Sequence, residues 1–222
     1  MQRYHKIQSI FYRDPETKYK RFIEGKWTDS TFEYLRHSMW EFTEKVDGTN
    51  IRIGWNGGGV IFGGRGDNSK LPGRLRISLQ EHFTEELMSD TFQGDEFITL
   101  IGEGYGDGIQ KGKYYSDDQK FILFDVFVEP NENNPLGIWL ERKSVEDVAK
   151  TLSIDVVPII LTCSLIDAIE IVKNKALSLL SQIAQETETL MEGFVGRPIT
   201  EMRNRFGSRI ITKIKVKDFP DV

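Results

Sequence analysis

The sequence predicts an α+β fold in which antiparallel β-sheets, two or one strongly curved, are flanked by helices. Three observations carry this. Strand patterns recur along the chain: Ile51, Ile53 and Trp55 alternate with Arg52 and Gly54, Phe97–Ile101 and Phe121–Val128 are apolar runs of buried-strand length, and Ile210 to Lys217 alternates almost strictly. Helical spacing is confined to separate stretches, chiefly 74–93 and 129–190. Finally, 222 residues with 39% hydrophobic and 11% aromatic content suffice for one large domain or two small ones, and argue against disorder.

Residues 1–39 are mixed polar and aromatic. Ile7, Ile10 and Phe11 suit a short strand or turn, Asp14-Pro15-Glu16 marks a loop, and Phe32, Leu35 and Met39 have helical spacing. Residues 40–66 read as a meander. Trp40-Glu41-Phe42-Thr43-Glu44 leads into Lys45, a polar turn Asp47-Gly48-Thr49-Asn50 follows, and then comes the alternating strand. Asn56-Gly57-Gly58-Gly59 signals a turn before Val60-Ile61-Phe62. Gly63-Gly64-Arg65-Gly66 frames an arginine with glycines that permit close backbone approach to a phosphate or ribose, without P-loop spacing.

The stretch 74–93 reads as one helix with Leu75, Leu79, His82, Phe83, Glu86 and Leu87 near one face. The run from Phe97 ends in Glu103, framed by Gly102 and Gly104; such a carboxylate suits ribose hydroxyls. In the next strand, Phe124-Asp125 puts an acid inside an apolar run, a pairing that suits base stacking with a metal or polar contact. Ser144 and Asp147 have capping-box spacing for a helix reaching about Leu152. Val156 to Leu161 reads as one short strand pushed to an edge by Pro158, and helices are expected near 164–174 and 176–188. Glu192-Gly193 then enters a strand that ends at the turn Arg197-Pro198. Along the last strand, period two puts Lys213, Lys215 and Lys217 on one face and Ile214 and Val216 on the other. Ammonium groups aligned this way repel one another unless an anion lies among them.

Composition narrows the chemistry. Cys163 is the single cysteine, which excludes an internal disulfide and a multi-cysteine zinc site and fits a reducing compartment. His5, His37 and His82 form no metal or triad spacing. No apolar run approaches the roughly 18 residues that span a membrane, and no apolar signal core follows the basic N-terminus, so a cytoplasmic protein with no membrane partner is expected. The net charge of −5 argues against a general nucleic-acid binder. Yet Arg203, Arg205, Arg209, Lys213, Lys215 and Lys217 follow one another with no acid among them, a strip that can serve phosphates.

Taken in order, Lys45-Val46-Asp47-Gly48, the Arg65 turn, Glu103-Gly104, Phe124-Asp125, Glu192-Gly193-Phe194-Val195 and Lys213-Ile214-Lys215 resemble the motif series of the covalent lysine nucleotidyltransferases. The extension Gly48-Thr49-Asn50 and the ending Asp218-Phe219 are similar to the ATP-dependent RNA ligases of the phage and RNA-editing, double-strand type. The resemblance covers about 40–219 and is only general over 129–190. It implies an ATP-grasp-like ligase nucleotidyltransferase domain over 1–222, without a separate OB-fold or C-terminal domain.

The resemblance also implies roles. Lys45 would attack the α-phosphate of ATP and hold AMP, and Lys213 and Lys215 would grip that phosphate. Arg65 would contact the ribose or the RNA end, Glu103 the ribose hydroxyls, and Phe124 would stack on adenine. Asp47 and Asp125 would orient the site, and Glu44 and Asn50 would contact the nucleotide. Glu192, and with it Asp125, would act through Mg²⁺ or Mn²⁺. The expected partner is RNA with 5′-phosphate and 3′-hydroxyl ends, with a partner protein or domain supplying RNA affinity. An amine nucleophile must shed its proton, and neighbouring cations favour that loss. Three alternatives stay open on sequence: a DNA ligase, a capping-type guanylyltransferase, and a non-catalytic nucleotide- or RNA-binding module.

Overall fold

A computed structural model describes residues 1–222 except 67–68, 95–96, 133–134, 186–187 and 220–222. In chain order the elements are β1 (Gln8–Ser9), β2 (Phe11–Arg13), β3 (Phe22–Trp27), α1 (Ser30–Tyr34), β4 (Met39–Glu44), β5 (Thr49–Trp55), β6 (Val60–Gly64), α2 (Gly73–His82), α3 (Glu85–Thr91), β7 (Ile98–Tyr105), β8 (Lys120–Val128), β9 (Ile138–Trp139), α4 (Arg142–Thr151), β10 (Asp155–Val156), β11 (Ile159–Ser164), α5 (Leu165–Lys173), α6 (Leu179–Gln185), β12 (Gly193–Pro198) and β13 (Thr212–Lys215). The expected α+β class with antiparallel sheets is the one found. No helix among the described residues is long and apolar enough to cross a membrane.

The chain divides into two compact units. The first comprises Met1–His5 with Asp47–Val157, and the second Lys6–Val46 with Pro158–Val222. The second is built on a five-stranded sheet of order β1-β13-β12-β4-β11, in which only β1 and β13 pair in parallel. Strand β4 alternates as its sequence demands. Trp40, Phe42 and Glu44 turn to the buried face and Glu41 and Thr43 to the other. Trp40, Phe42, Phe194 and Ile214 form the core with Leu165, Ala168, Ile169 and Val172 of α5. Each large apolar side chain buried this way contributes about 1.5–3 kcal/mol. Helix α5 starts where Ser164 Oγ accepts from Asp167 N at 3.1 Å, a cap that satisfies an otherwise orphaned amide.

The first unit holds a six-stranded sheet, β10-β8-β7-β5-β6 with β9 on β8, antiparallel except for β10 with β8. One face carries Ile51, Ile53, Trp55, Leu100, Leu123 and Val126, packed against α2, α3 and α4. The opposite face carries the sheet's polar side chains among apolar ones such as Ile101, Ile122 and Phe127. Its rows include Asn50 beside Glu103, and Arg52 beside Ile101 beside Asp125. Residues 1–5 lie over this face. Gln2 N donates to Thr99 Oγ1 at 3.2 Å, Arg52 donates to Gln2 O at 3.3 Å, and Met1 fills the space above Gly54 and Gly63.

Several expectations need correction. Residues 40–66 are not one meander: β4 joins one sheet and β5 and β6 the other. The stretch 74–93 is two helices, because Thr84 leaves helical geometry and caps a new start by accepting from Leu87 N at 3.2 Å. The helix through 142–151 starts at Arg142, ahead of Ser144. Val156 to Leu161 is not one strand. Pro158, which has no amide to give a ladder, separates β10 from β11, and each lies at an edge of a different sheet. Lys217 leaves the lysine face because the chain turns into a 3-10 helix at Val216. Of the helix expected at 176–188, residues 179–185 are helical, and 186–187 lie outside the described residues.

Candidate active site

Three strands of the second unit bring the expected lysine chemistry together. Lys45 follows β4 directly, and its amide continues the ladder by donating to Gly193 O at 2.9 Å. Across β12 and β13, Gly193 is opposite Lys215. Period two sets Lys45 on the half-buried face away from Trp40 and Phe42. Lys45 Nζ donates to Glu192 Oε2 at 2.6 Å. Lys215 Nζ donates to the other oxygen, Oε1. One carboxylate thus bridges two ammonium groups that are 147 and 23 residues from it in sequence.

The glycine after Glu192 is required by this geometry. Gly193 has φ of +149°, and a Cβ there would lie 2.0 Å from Ile214 O. Burial pushes the Glu192 carboxyl up, but the Lys45 charge and the bonds from Lys215 and Lys45 outweigh it and hold it below the ordinary carboxylate range. Lys213 lies one position from Ile214 on the same face of β13 as Lys215, half-buried as the alternation predicts. Lys45, Lys213 and Lys215 against Glu192 leave a net positive face, which suits a polyphosphate better than a bare cation.

Glu44 is placed differently from its expected role as a nucleotide contact. It points to the core side of β4, 2% exposed, where Ser178 Oγ donates to its Oε1 at 2.5 Å and Leu180 N to its Oε2 at 3.1 Å. Desolvation raises its pKa above 4.5 against these bonds. Alternation along β4 is the reason, since neighbours in a strand face opposite ways. The carboxylate ties the Ser178–Leu180 segment, at the start of α6, to the strand that ends at Lys45.

The remaining predicted residues lie in the first unit. Asn50 and Glu103 are register partners on the polar face of the sheet. Asn50 Nδ2 donates to Gly102 O at 3.4 Å, while its Oδ1 is buried with no protein partner. Gly48 explains itself: a Cβ would meet Gly104 O at 2.3 Å and Glu103 Cγ at 2.8 Å, so only glycine lets the Asp47 turn lie against this edge. Asp47 N donates to Tyr115 OH at 3.4 Å. Phe124 is the bulge residue of β8, for Ile101 pairs with Asp125 and Gly102 with Leu123. Asp125 is fully buried and accepts from Tyr4 OH at 2.6 Å. Arg65 lies exposed just past β6.

Sequence reading missed two features here. Tyr4 meets Asp125 by its hydroxyl and Phe124 edge-on, with ring centroids 5.1 Å apart. Arg52 reads as the polar half of an alternating strand, yet it is fully buried and donates to Gly64 O at 2.7 Å. Only the aromatic Tyr4 near the terminus hinted at the first, and nothing local reveals the second. Among the described residues, no group of three or more His, Cys, Asp and Glu stands together to hold a metal. A divalent ion here would therefore need oxygens from a ligand beside Glu192.

Comparison with known proteins adds the following. A family model described as RNA ligase matches residues 38–215. No curated protein sequence matches. Among solved structures, a variant of a Naegleria gruberi RNA ligase with ATP and Mn is 17% identical, covering 85% of this chain and 54% of that one, with a TM-score of 0.60. The Naegleria gruberi RNA ligase with PPi is 16% identical over 97% of this chain and 56% of that one, at 0.62. A variant with AMP and Mn is 15% identical over 97% and 59%, at 0.61. The folds are shared, and the chain spans little more than half the length of these structures.

Proposed function

The chain belongs to the RNA ligase family, and from that premise we propose that it is an ATP-dependent RNA ligase whose Lys45 carries AMP. The observation that carries the reading is the Lys45–Glu192–Lys215 bridge, an amine aimed by a carboxylate and set beside a second cation. Lys45 Nζ, having given its ammonium proton to solvent, forms a bond to the α-phosphorus of ATP as the bond to pyrophosphate breaks, and a second proton leaves Nζ as the phosphoamide forms. Glu192, bonded to both lysines, aims the amine. Lys215 and Lys213 stabilise the charge that grows on the pentacoordinate phosphorus. AMP then passes to an RNA 5′-phosphate, and an RNA 3′-hydroxyl attacks, forming the phosphodiester and releasing AMP.

Mg²⁺ or Mn²⁺ fits this site in one mode. Glu192 would hold it together with nucleotide phosphates, the usual way such ions bind with one or two carboxylates, and it would polarise the α-phosphate. The solved relatives with ATP or AMP and Mn support a nucleotide and a divalent ion. For the first unit we keep the roles the resemblance implies. Glu103 takes the ribose, as does Asn50, whose orphaned Oδ1 suits a hydroxyl donor. Phe124 stacks on the base, Arg65 contacts the ribose or the RNA end, and Asp47 orients the site. Asp125, already bonded to Tyr4, is reassigned from metal ligand to support of the Phe124 bulge. A reducing, cytoplasmic setting fits the single free cysteine.

The test is sealing. Purified protein with ATP and Mg²⁺ or Mn²⁺ joins RNA ends bearing 5′-phosphate and 3′-hydroxyl groups, at a nick or between single strands, and does not do so with GTP. Use of GTP in place of ATP would move the reading to a capping-type enzyme.

A further inference from the structure

We propose that the loop between β12 and β13 is a stacking element for unpaired RNA bases, with Phe206 as its platform. This rests on the RNA ligase reading and adds a site to it. Phe206 is 76% exposed. The loop does not leave it there by slackness. Asn204 Oδ1 accepts from Phe206 N and Ser208 N, both at 3.0 Å. Asn204 N donates to Ser208 O at 2.8 Å, Gly207 N donates to Asn204 O at 2.9 Å, and Arg203 and Arg209 pair as an antiparallel bridge. Gly207 closes the turn at φ of +79°, where a side chain would be strained. The ring is held out on a built tip.

Its surroundings name the occupant. The Arg205 guanidinium lies 4.7 Å from the Phe206 ring centroid, and most of the ring remains open to solvent. From Arg203 to Lys217 the chain carries six cations and no acid. Of these, Arg209 pairs with Glu201 at 2.8 Å and Lys215 with Glu192, so the charge offered at the tip is chiefly that of Arg205 beside the ring. An aromatic ring backed by arginine matches the two things a single strand offers, a π-face on every base and a phosphate between bases. An acidic protein surface would use the charge but offers no succession of π-faces for the ring. The loop also springs from the end of the β12–β13 pair opposite Glu192 and Lys215, since Gly193 pairs with Lys215 and the strand runs on to Pro198. Five strand steps span about 17 Å. The tip therefore serves the body of the strand, several nucleotides from the reacting end, and not lysine adenylylation.

The experiment compares wild type, Phe206→Ala and Phe206→Trp. Two readings are taken: lysyl-AMP formation with ATP and Mn²⁺, and affinity for a 5′-phosphorylated single-stranded RNA of about a dozen nucleotides. Phe206→Ala is expected to form lysyl-AMP as wild type does while binding RNA about five- to a hundred-fold more weakly, and Phe206→Trp to restore the affinity. Unchanged RNA affinity in Phe206→Ala with lysyl-AMP intact would overturn the proposal. So would self-association of wild type that Phe206→Ala abolishes without touching RNA affinity, which would give the tip to a second copy of the chain. Absence of lysyl-AMP on wild type would instead sink the ligase reading and leave the RNA arm to be scored by itself.

Discussion

Adjacent residues at the end of β4 have opposite lives. Lys45 faces the half-buried side and meets Glu192, whereas Glu44 faces the core and meets Ser178 and Leu180. Sequence alone made both nucleotide contacts, because a motif records neighbours and not faces. The consequence is a pH dependence with a definite sign. The folded pKa of Glu44 is raised above 4.5, chiefly by desolvation, so its contribution to stability is fully present below that value and is lost as pH rises through the folded pKa. Glu44→Gln removes the charge and keeps an acceptor for Leu180 N. In thermal melts its midpoint should gain on wild type between pH 4.5 and neutrality. Glu44→Ala should lose about 1–3 kcal/mol at acid pH by orphaning Ser178 and Leu180 N, a deficit that narrows as pH rises through the folded pKa of Glu44. A Gln-to-wild-type difference that stays flat with pH would refute this account of Glu44.

At the scale of elements, β12 is the piece on which the site depends. It pairs with both β4 and β13, and thereby brings the Lys45, Glu192 and Lys215 segments together. That much follows from patterning, since Glu192-Gly193 and Lys213-Ile214-Lys215 each announce a strand. The N-terminal segment announces nothing, because five residues have no period to read. Yet residues 1–5 close the polar face of the first unit's sheet, and Tyr4 supports the β8 bulge through Asp125 and Phe124. Tyr4→Phe keeps the ring contact and removes one hydrogen bond from the buried Asp125 carboxylate. We expect KM for ATP in lysyl-AMP formation to rise severalfold with little change in kcat, and the melting midpoint to fall by a few degrees, of the order that loss of one buried hydrogen bond gives. Unchanged KM would separate Tyr4 from the nucleotide.

For the whole molecule, the chain passes between its two units at His5–Lys6, Val46–Asp47 and Val157–Pro158. This is what local reading could not foresee. Hydrophobic period identifies a strand and its buried face, but the choice of sheet is set by long-range pairing, such as β1 with β13 across 204 residues from Gln8 to Thr212. The motif residues were legible because their chemistry constrains them one at a time: Gly48 and Gly193 by the lack of room for a Cβ, Lys45 and Glu192 by their charges. The covalent role of Lys45 remains the central claim. Its most direct test is an intact-mass spectrum after incubation with ATP and a divalent ion, wild type beside Lys45→Ala. Wild type alone should gain roughly 329 Da, one AMP. A folded wild-type protein that gains no mass with any nucleotide, or a Lys45→Ala protein that gains the same mass, would contradict it.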